Sequence, residues 1–544
     1  MEGFECFAVS SLEKVFADAR PMMEEKENVC FANEVFSFQI AYCNHGQDPI
    51  LKRGSWEIES TLREFIRVRP VYGVPCTLPY GYVSDDYYLV KTAKLVPDLL
   101  AEEDFFGIRI GQWGALWVTV SGNLPCGKHT VRIVLKVNGE KAGEAEYTLT
   151  VLAQKLPESD LRYAHWMHYD CISQKHNALP GGKKFEKIVA RYLKNAAAHG
   201  TNVCFVPLFT PPLNTAVGSY RQCVQLVDVK AECGHWTFDY GRVLKFMRLA
   251  QRCGMKYFEM SHLFTQWGAE HPPLIMAEKD GARERVFGWQ DDSLGKDYVS
   301  FLREFLTTFV RFLRENGYEE DRVVFHISDE PNCNHLKRYL RLRTIVKECL
   351  GEYKVLDALS DYEFYAKGGV DIPVSTTDHA PVFLKNGVRD LWVYYCCGQG
   401  GEYLSNRFMA MPLQRTRILG YQLYLAGCKG FLHWGYNFYN SALSERGIDP
   451  YLVTDADGSF QSGDSFIVYP GKDGPLDSVR HEAMADAVQD YRVLLLLEKR
   501  IGREEVCRFL REEGVRSFTE YPHDAYWQIR VRRKIIEMCR KNDA

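Results

Sequence analysis

The chain has 544 residues, of which 46% are hydrophobic and 25% charged, with a formal net charge of only -4. That is long enough for more than one core, and the near-balanced charge excludes a polyanion-binding surface as the main theme. No stretch approaches the roughly 18 apolar residues of a bilayer span. The first twenty residues, MEGFECFAVSSLEKVFADAR, lack a basic segment followed by an apolar one. The 17 cysteines show no C-x-x-C spacing, and Cys396 and Cys397 are direct neighbours. These features predict reduced thiols and a cytoplasmic protein. H-E-x-x-H, a phosphate loop and G-x-G-x-x-G are all missing, so no metal and no cofactor is expected.

In chain order, residues 1–157 read as β. Period-two alternation marks strands at 35–42, 115–120, 130–135 and 146–151, and Asn138-Gly139 marks a hairpin. Several short strands without helices predict an N-terminal β-sandwich. From 158 to about 500 the texture becomes strand, loop, helix. Strands are expected at 163–170, 202–207, 256–260, 323–328, 354–359, 370–374, 391–395 and 430–434. Helices are expected at 183–198, 241–253, 297–316, 335–350, 410–427 and 477–499. Eight such repeats predict a (β/α)₈, TIM-like barrel, with an open doubly wound sheet as the alternative. Residues 501–544 read as a short helical extension. The whole is a multidomain α/β chain.

A barrel places its chemistry at the C-terminal ends of its strands. The fourth expected strand ends Ser328-Asp329-Glu330-Pro331. Two carboxylates after a buried strand fit glycosidic cleavage, which needs an acid for the leaving oxygen and a negative group near the developing cation. An equally simple reading is a solvated loop or a cap for helix 335–350. Strand neighbours face opposite ways. Pro331 cannot donate to a ladder and disfavours helical backbone at Glu330, which gives both acids a route to the mouth. The eighth strand ends with Trp434, Tyr436 and Asn437, whose rings and amide suit a sugar. His168 and Asp170 after the first strand, His262 after the third and Asp378 after the sixth are further candidates.

These motifs resemble glycoside hydrolase family 123 and the related DUF4091 set. Pro97-Asp98-Leu99-Leu100, Trp117-Val118-Thr119-Val120 and Pro125-Cys126-Gly127-Lys128-His129-Thr130 look like the family's sandwich. Leu156-Pro157 looks like its exit into the barrel. Ser328-Asp329-Glu330-Pro331 looks like its catalytic pair. Gly463-Asp464 through Tyr469-Pro470-Gly471, with Arg480 and Asp490, looks like its C-terminal signature. The resemblance implies a retaining exo-β-N-acetylhexosaminidase, β-N-acetylgalactosaminidase-like, in which the substrate's own 2-acetamido oxygen attacks. Asp329 would orient the acetamido group, and Glu330 would serve as general acid and then base. By analogy Tyr395, or else Tyr436, would hydrogen-bond the acetamido carbonyl, and Trp434 would wall its pocket. The partner implied is a small glycoside or oligosaccharide ending in a β-linked sugar, with no nucleic acid and no membrane. Two alternatives stay open. One is a glycosidase for a sugar without the acetamido group, with Asp361, Asp378 or Asp170 as a remote nucleophile. The other is a non-catalytic carbohydrate-binding protein.

Overall fold

The structure is a computed structural model that describes residues 3–46, 52–81, 83–232 and 235–540. Ten strands between Phe4 and Leu152 form two five-stranded sheets. In one, Phe36–Asn44 and Trp113–Val120 pair side by side; in the other, Gly127–Val137 and Glu140–Leu152 do. Phe38, Leu116 and Val118 from the first sheet meet Ile133, Tyr147 and Leu149 from the second in one core. Asn138 and Gly139 both take positive φ (53° and 82°), the backbone of a two-residue hairpin turn whose twist suits the flanking strands. Phe36–Asn44 is buried at every position, because the N-terminal segment covers its outer face. Gln39 on that face donates to the Ser10 and Glu13 carbonyls at 3.0 and 2.8 Å.

The second unit is a closed barrel of eight parallel strands. In order these are Arg162–His165, Val203–Val206, Tyr257–Met260, Val323–Phe325, Lys354–Ala358, Ile372–Thr376, Trp392–Tyr394 and Gly430–His433. The first and last pair from Arg162↔Gly430 to His165↔His433, which closes the ring. Alternate residues divide between two cores. Trp166, Phe205, Leu356, Val374, Trp392, Tyr394 and Leu432 fill the barrel interior. Tyr163, Cys204, Val355, Val393, Tyr395 and Phe431 pack outward with the helices.

Helices Lys183–Ala198, Gly241–Arg252, Lys296–Glu315, Leu336–Leu350 and Val479–Ile501 lie within two residues of expectation. Three features differ. The first strand ends at His165, and Tyr169–Lys175 is already a helix. The helix expected over 410–427 starts only after Pro412, which is extended at ψ 145°, and is split into Leu413–Arg417 and Leu419–Ala426. Gly420 lets this segment lie directly on Val479–Ile501: a Cβ there would sit 2.0 Å from the Ala487 carbonyl. A four-stranded sheet, Asp228–Glu232, His235–Asp239, Ile275–Lys279 and Ala282–Phe287, is built from loops after the second and third barrel strands.

The C-terminal helices Arg503–Glu512 and Ala525–Arg540 share a core with Tyr421, Leu494, Phe31 and Leu156, so they bind barrel and sandwich together. Buried ion pairs reinforce the junction. Arg480 grips Asp98 with Nε–Oδ1 at 2.8 Å and Nη2–Oδ2 at 2.9 Å, and Tyr469 donates to the same carboxylate at 2.6 Å. Arg69 reaches Asp477 at 2.6 Å and Glu482 at 2.5 Å. Arg532 bonds Asp490 at 3.0 Å and also pairs with Glu34. Among the described residues, no helix is long and apolar enough to cross a membrane.

Candidate active site

A cavity of about 220 Å³ opens at the C-terminal mouth of the barrel. Residues at or beyond the C-terminal ends of seven of the eight strands line it. Its carboxylates are Asp329 and Glu330; its rings are Trp166, Trp267, Tyr394, Trp434 and Phe460.

Strict alternation would separate the two acids, since His326 belongs with the interior rings Trp166 and Phe205, while Phe325 and Ile327 pack outward. The strand ends at Phe325, and the chain escapes alternation beyond Ile327. Glu330 takes φ +49°, a left-handed backbone that costs a residue with a Cβ about 1–2 kcal/mol. This differs from the extended backbone that a following proline favours. Neighbouring strand ends hold the turn. Trp267 N–H donates to the Asp329 carbonyl at 3.0 Å, and Glu330 N–H donates to the Ala358 carbonyl at 3.1 Å.

Beneath the pair, Asp357 of the fifth strand is fully buried and accepts four hydrogen bonds. Ile327 and Ser328 N–H donate at 3.0 and 3.1 Å, His326 Nδ1 lies at 3.1 Å, and the Tyr339 hydroxyl also donates. His326 also lies 3.7 Å from Glu259, which takes a 2.6 Å bond from Trp166 Nε1. Burial opposes a charge on His326, but the flanking carboxylates outweigh it and lift its pKa to about 9. Burial and the neighbouring Glu330 carboxylate push the Asp329 pKa well above the usual carboxylate range. Two such neighbours share a proton more readily than both ionise. The Tyr394 hydroxyl donates to Glu330 Oε1 at 2.8 Å. Trp434 Nε1 donates to buried Asp464 at 3.1 Å, which fixes the indole in the cavity wall.

The other expected residues divide sharply. Tyr395 faces away from the cavity; its hydroxyl contacts Met484 Sδ at 3.1 Å in the helical layer. Tyr436 also points outward, donating to Asn195 Oδ1 at 2.6 Å. Asn437 is buried and staples the first strand's exit, exchanging bonds of 2.8 and 3.0 Å with the His168 backbone. His168 bonds the Trp434 carbonyl through Nε2 at 2.8 Å and accepts from Arg221 at Nδ1 at 3.0 Å. Burial and Arg221 lower its pKa to about 3, so it is neutral. Asp170 forms a two-pronged pair with Arg221, at 2.8 and 2.6 Å. His262 lies behind Trp166, its ring 4.5 Å from that of His326. Asp378 sits outside the cavity lining, paired with His379 at 3.1 Å. Asp361 caps helix Tyr362–Ala366. None of Asp170, Asp361 and Asp378 faces the pair across the cavity. Tyr394, Trp166 and Trp267 do line it. Interior parity would have chosen Tyr394 over Tyr395, because Trp392 and Tyr394 share the inward face.

A closed parallel barrel whose mouth holds paired carboxylates among rings is the arrangement of a glycosidase, and the family match confirms that class. The chain belongs to glycoside hydrolase family 123: the model "Glycoside hydrolase 123, catalytic domain" matches residues 166–497. A family 123 glycoside hydrolase from Clostridium perfringens, described for glycolipid glycan hydrolysis, has a similar fold. Its TM-score is 0.74 at 15% identity, over 99% of this chain and 98% of that one. A family 39 glycoside hydrolase from Bacteroides cellulosilyticus is far less similar, with a TM-score of 0.34 at 11% identity over 85% of this chain and 82% of that one. No curated protein matches the chain in sequence.

Proposed function

We propose that the chain is a retaining exo-β-N-acetylhexosaminidase working through the substrate's 2-acetamido group. The observation that carries this reading is that Asp329 and Glu330 are the carboxylates lining the cavity. A conventional retaining site needs a second carboxylate about 5 Å across the sugar. The acids considered for that role are committed to an arginine, a helix cap and a histidine outside the lining. Adjacent carboxylates suit two neighbouring points on one sugar: the acetamido group and the glycosidic oxygen.

In this mechanism Asp329 accepts from the acetamido N–H. That bond favours the ionised form of Asp329 and leaves the pair's proton on Glu330. Glu330 protonates the departing oxygen while the acetamido carbonyl oxygen attacks the anomeric carbon. The cyclic oxazolinium ion carries positive charge beside Asp329. Glu330 then removes a proton from the water that opens the ring. Tyr394, through its bond to Glu330, orients the acid, and Trp434 walls the sugar. The substrate is a terminal β-linked N-acetylhexosamine on an oligosaccharide or glycolipid glycan, the latter because the similar Clostridium perfringens enzyme is described for that class.

A panel of aryl β-glycosides differing at C2 and C4, with a thiazoline mimic of the oxazolinium ion, tests the reading. Turnover should require the 2-acetamido group, and the thiazoline should inhibit strongly. Equal hydrolysis of sugars lacking that group, or covalent labelling of a remote carboxylate by a 2-fluoro glycoside, would sink it.

A further inference from the structure

The seventh barrel strand, Trp392–Tyr394, is followed by two adjacent cysteines, both half-buried and both lining the cavity. Period-two alternation carries Tyr394 inward and Tyr395 outward, and would send Cys396 inward and Cys397 away. The chain instead turns. Gln399 N–H donates to the Cys396 carbonyl at 3.1 Å, and Cys396 N–H donates back to Gln399 Oε1 at 3.0 Å. Asn406 Nδ2 clamps the loop, donating to the Cys396 and Gln399 carbonyls at 3.0 and 2.9 Å. The turn keeps both cysteines on the cavity wall, and the Cys396 thiol donates to Gln399 Oε1 at 3.6 Å. Gln399 and Asn406 thus hold both cysteines in one stretch of cavity wall beside Glu330 and Trp434.

We infer that Cys396 and Cys397 form a chelating dithiol site, in the wall of the candidate active-site cavity, for a trivalent thiophilic centre such as an organic arsenical. Soft thiol ligands select soft centres, and the ordering cost of bringing two of them together has already been met by the fold. The neighbouring Cys397 sulfur and burial raise the Cys396 pKa well above the usual thiol range, which disfavours simple alkylation there. Condensation with an arsenoxide needs no prior ionisation. Phenylarsine oxide, with its As=O bond, reacts with two S–H groups; two As–S bonds form, the oxygen leaves with both protons as water, and arsenic stays trivalent. The adduct occupies the space next to Glu330 and closes the cavity to sugar. The site goes beyond the hexosaminidase reading and does not depend on which sugar is cleaved.

The full reduced chain, treated with one equivalent of phenylarsine oxide, gives a direct test by intact-mass and peptide-mapping mass spectrometry. We expect one phenylarsenic group in place of two hydrogens, bridging Cys396 and Cys397. The adduct should survive excess glutathione and be removed by dimercaptopropanol. C396S and C397S should each lose it, whereas C126S and C333S, which alter exposed thiols, should keep it. Turnover of whichever glycoside the wild type hydrolyses should fall in proportion to the adduct. An adduct mapped elsewhere, no glutathione-resistant adduct on folded wild type, or full turnover with the bridge in place would each overturn the site. Mapping on the wild type decides the chemistry even if a serine variant does not fold.

Discussion

Glu330 combines a left-handed backbone with a carboxylate whose Oε1 accepts from Tyr394, so its position rests on strain as well as on a bond. As the proposed acid and base, it should tolerate little change. Glu330→Gln is expected to lower kcat on an aryl β-N-acetylhexosaminide by about 10²–10⁴-fold, measured by steady-state kinetics with circular dichroism to confirm folding. Tyr394 and Tyr395 make a sharper comparison, because they are sequence neighbours on opposite faces. Loss of a hydrogen bond to a charged group costs about 1.5–3 kcal/mol, so Tyr394→Phe should reduce kcat/KM roughly 10- to 100-fold. Tyr395→Phe should leave kcat/KM unchanged. The reverse pattern would mean that the inward residue of the seventh strand had been misidentified.

At the scale of elements, the end of the fourth strand is held from below by the fifth. Asp357 accepts the Ile327 and Ser328 amides and balances His326. Breaking a buried pair of this kind costs about 3–5 kcal/mol, so Asp357→Leu should lower the urea midpoint markedly. Buried histidines add a pH signature. His326 and His199 are both lifted from 6.5 to about 9 by neighbouring carboxylates against the opposing effect of burial. A raised pKa means that the native state binds the proton more tightly. Their stabilisation is therefore complete below pH 6.5 and lost as pH rises through about 9. His168 and His481, lowered by burial to about 3 and about 4, act in the opposite sense, and stability falls as pH drops below 6.5. Urea midpoints from pH 4 to 10 should pass through a maximum near 6.5, with a shallower alkaline decline in His326→Gln.

Across the whole molecule, the sandwich and the barrel share buried charge. The C-terminal signature is rich in Asp, Arg and Tyr. In three dimensions Arg480 and Tyr469 close on Asp98 of the sandwich, and Asp490 bonds Arg417 and Arg532. Arg480→Met would leave Asp98 buried without its cation and should destabilise the chain by about 3–5 kcal/mol while sparing KM, read by urea denaturation alongside kinetics. We propose the boundary near residue 157 as a division of folds rather than of stability. A fragment beginning at residue 158 exposes Arg480, Arg69's partners and the Phe31 contact, and is expected to lose cooperative unfolding in differential scanning calorimetry.

The sequence alone determined what local rules control. Period-two runs, apolar helix faces and turn residues located all eight barrel strands and five long helices, because spacing and propensity act within about twenty residues. It also singled out Asp329 and Glu330 as candidates, because two acids after a buried strand break a local pattern. Six strands of the sandwich and the four-stranded loop sheet were not legible, since their burial depends on partners distant in the chain. Which tyrosine faces the cavity was decided by barrel parity, and whether Asp170, His168 or Asn437 is free was decided by Arg221 and the barrel's closing strand. The joint approach of Asp329 and Glu330 to one cavity was likewise tertiary. A left-handed residue before a proline is not favoured locally, and it is the hydrogen bonds from the third strand's loop and to the fifth strand's end that hold it there.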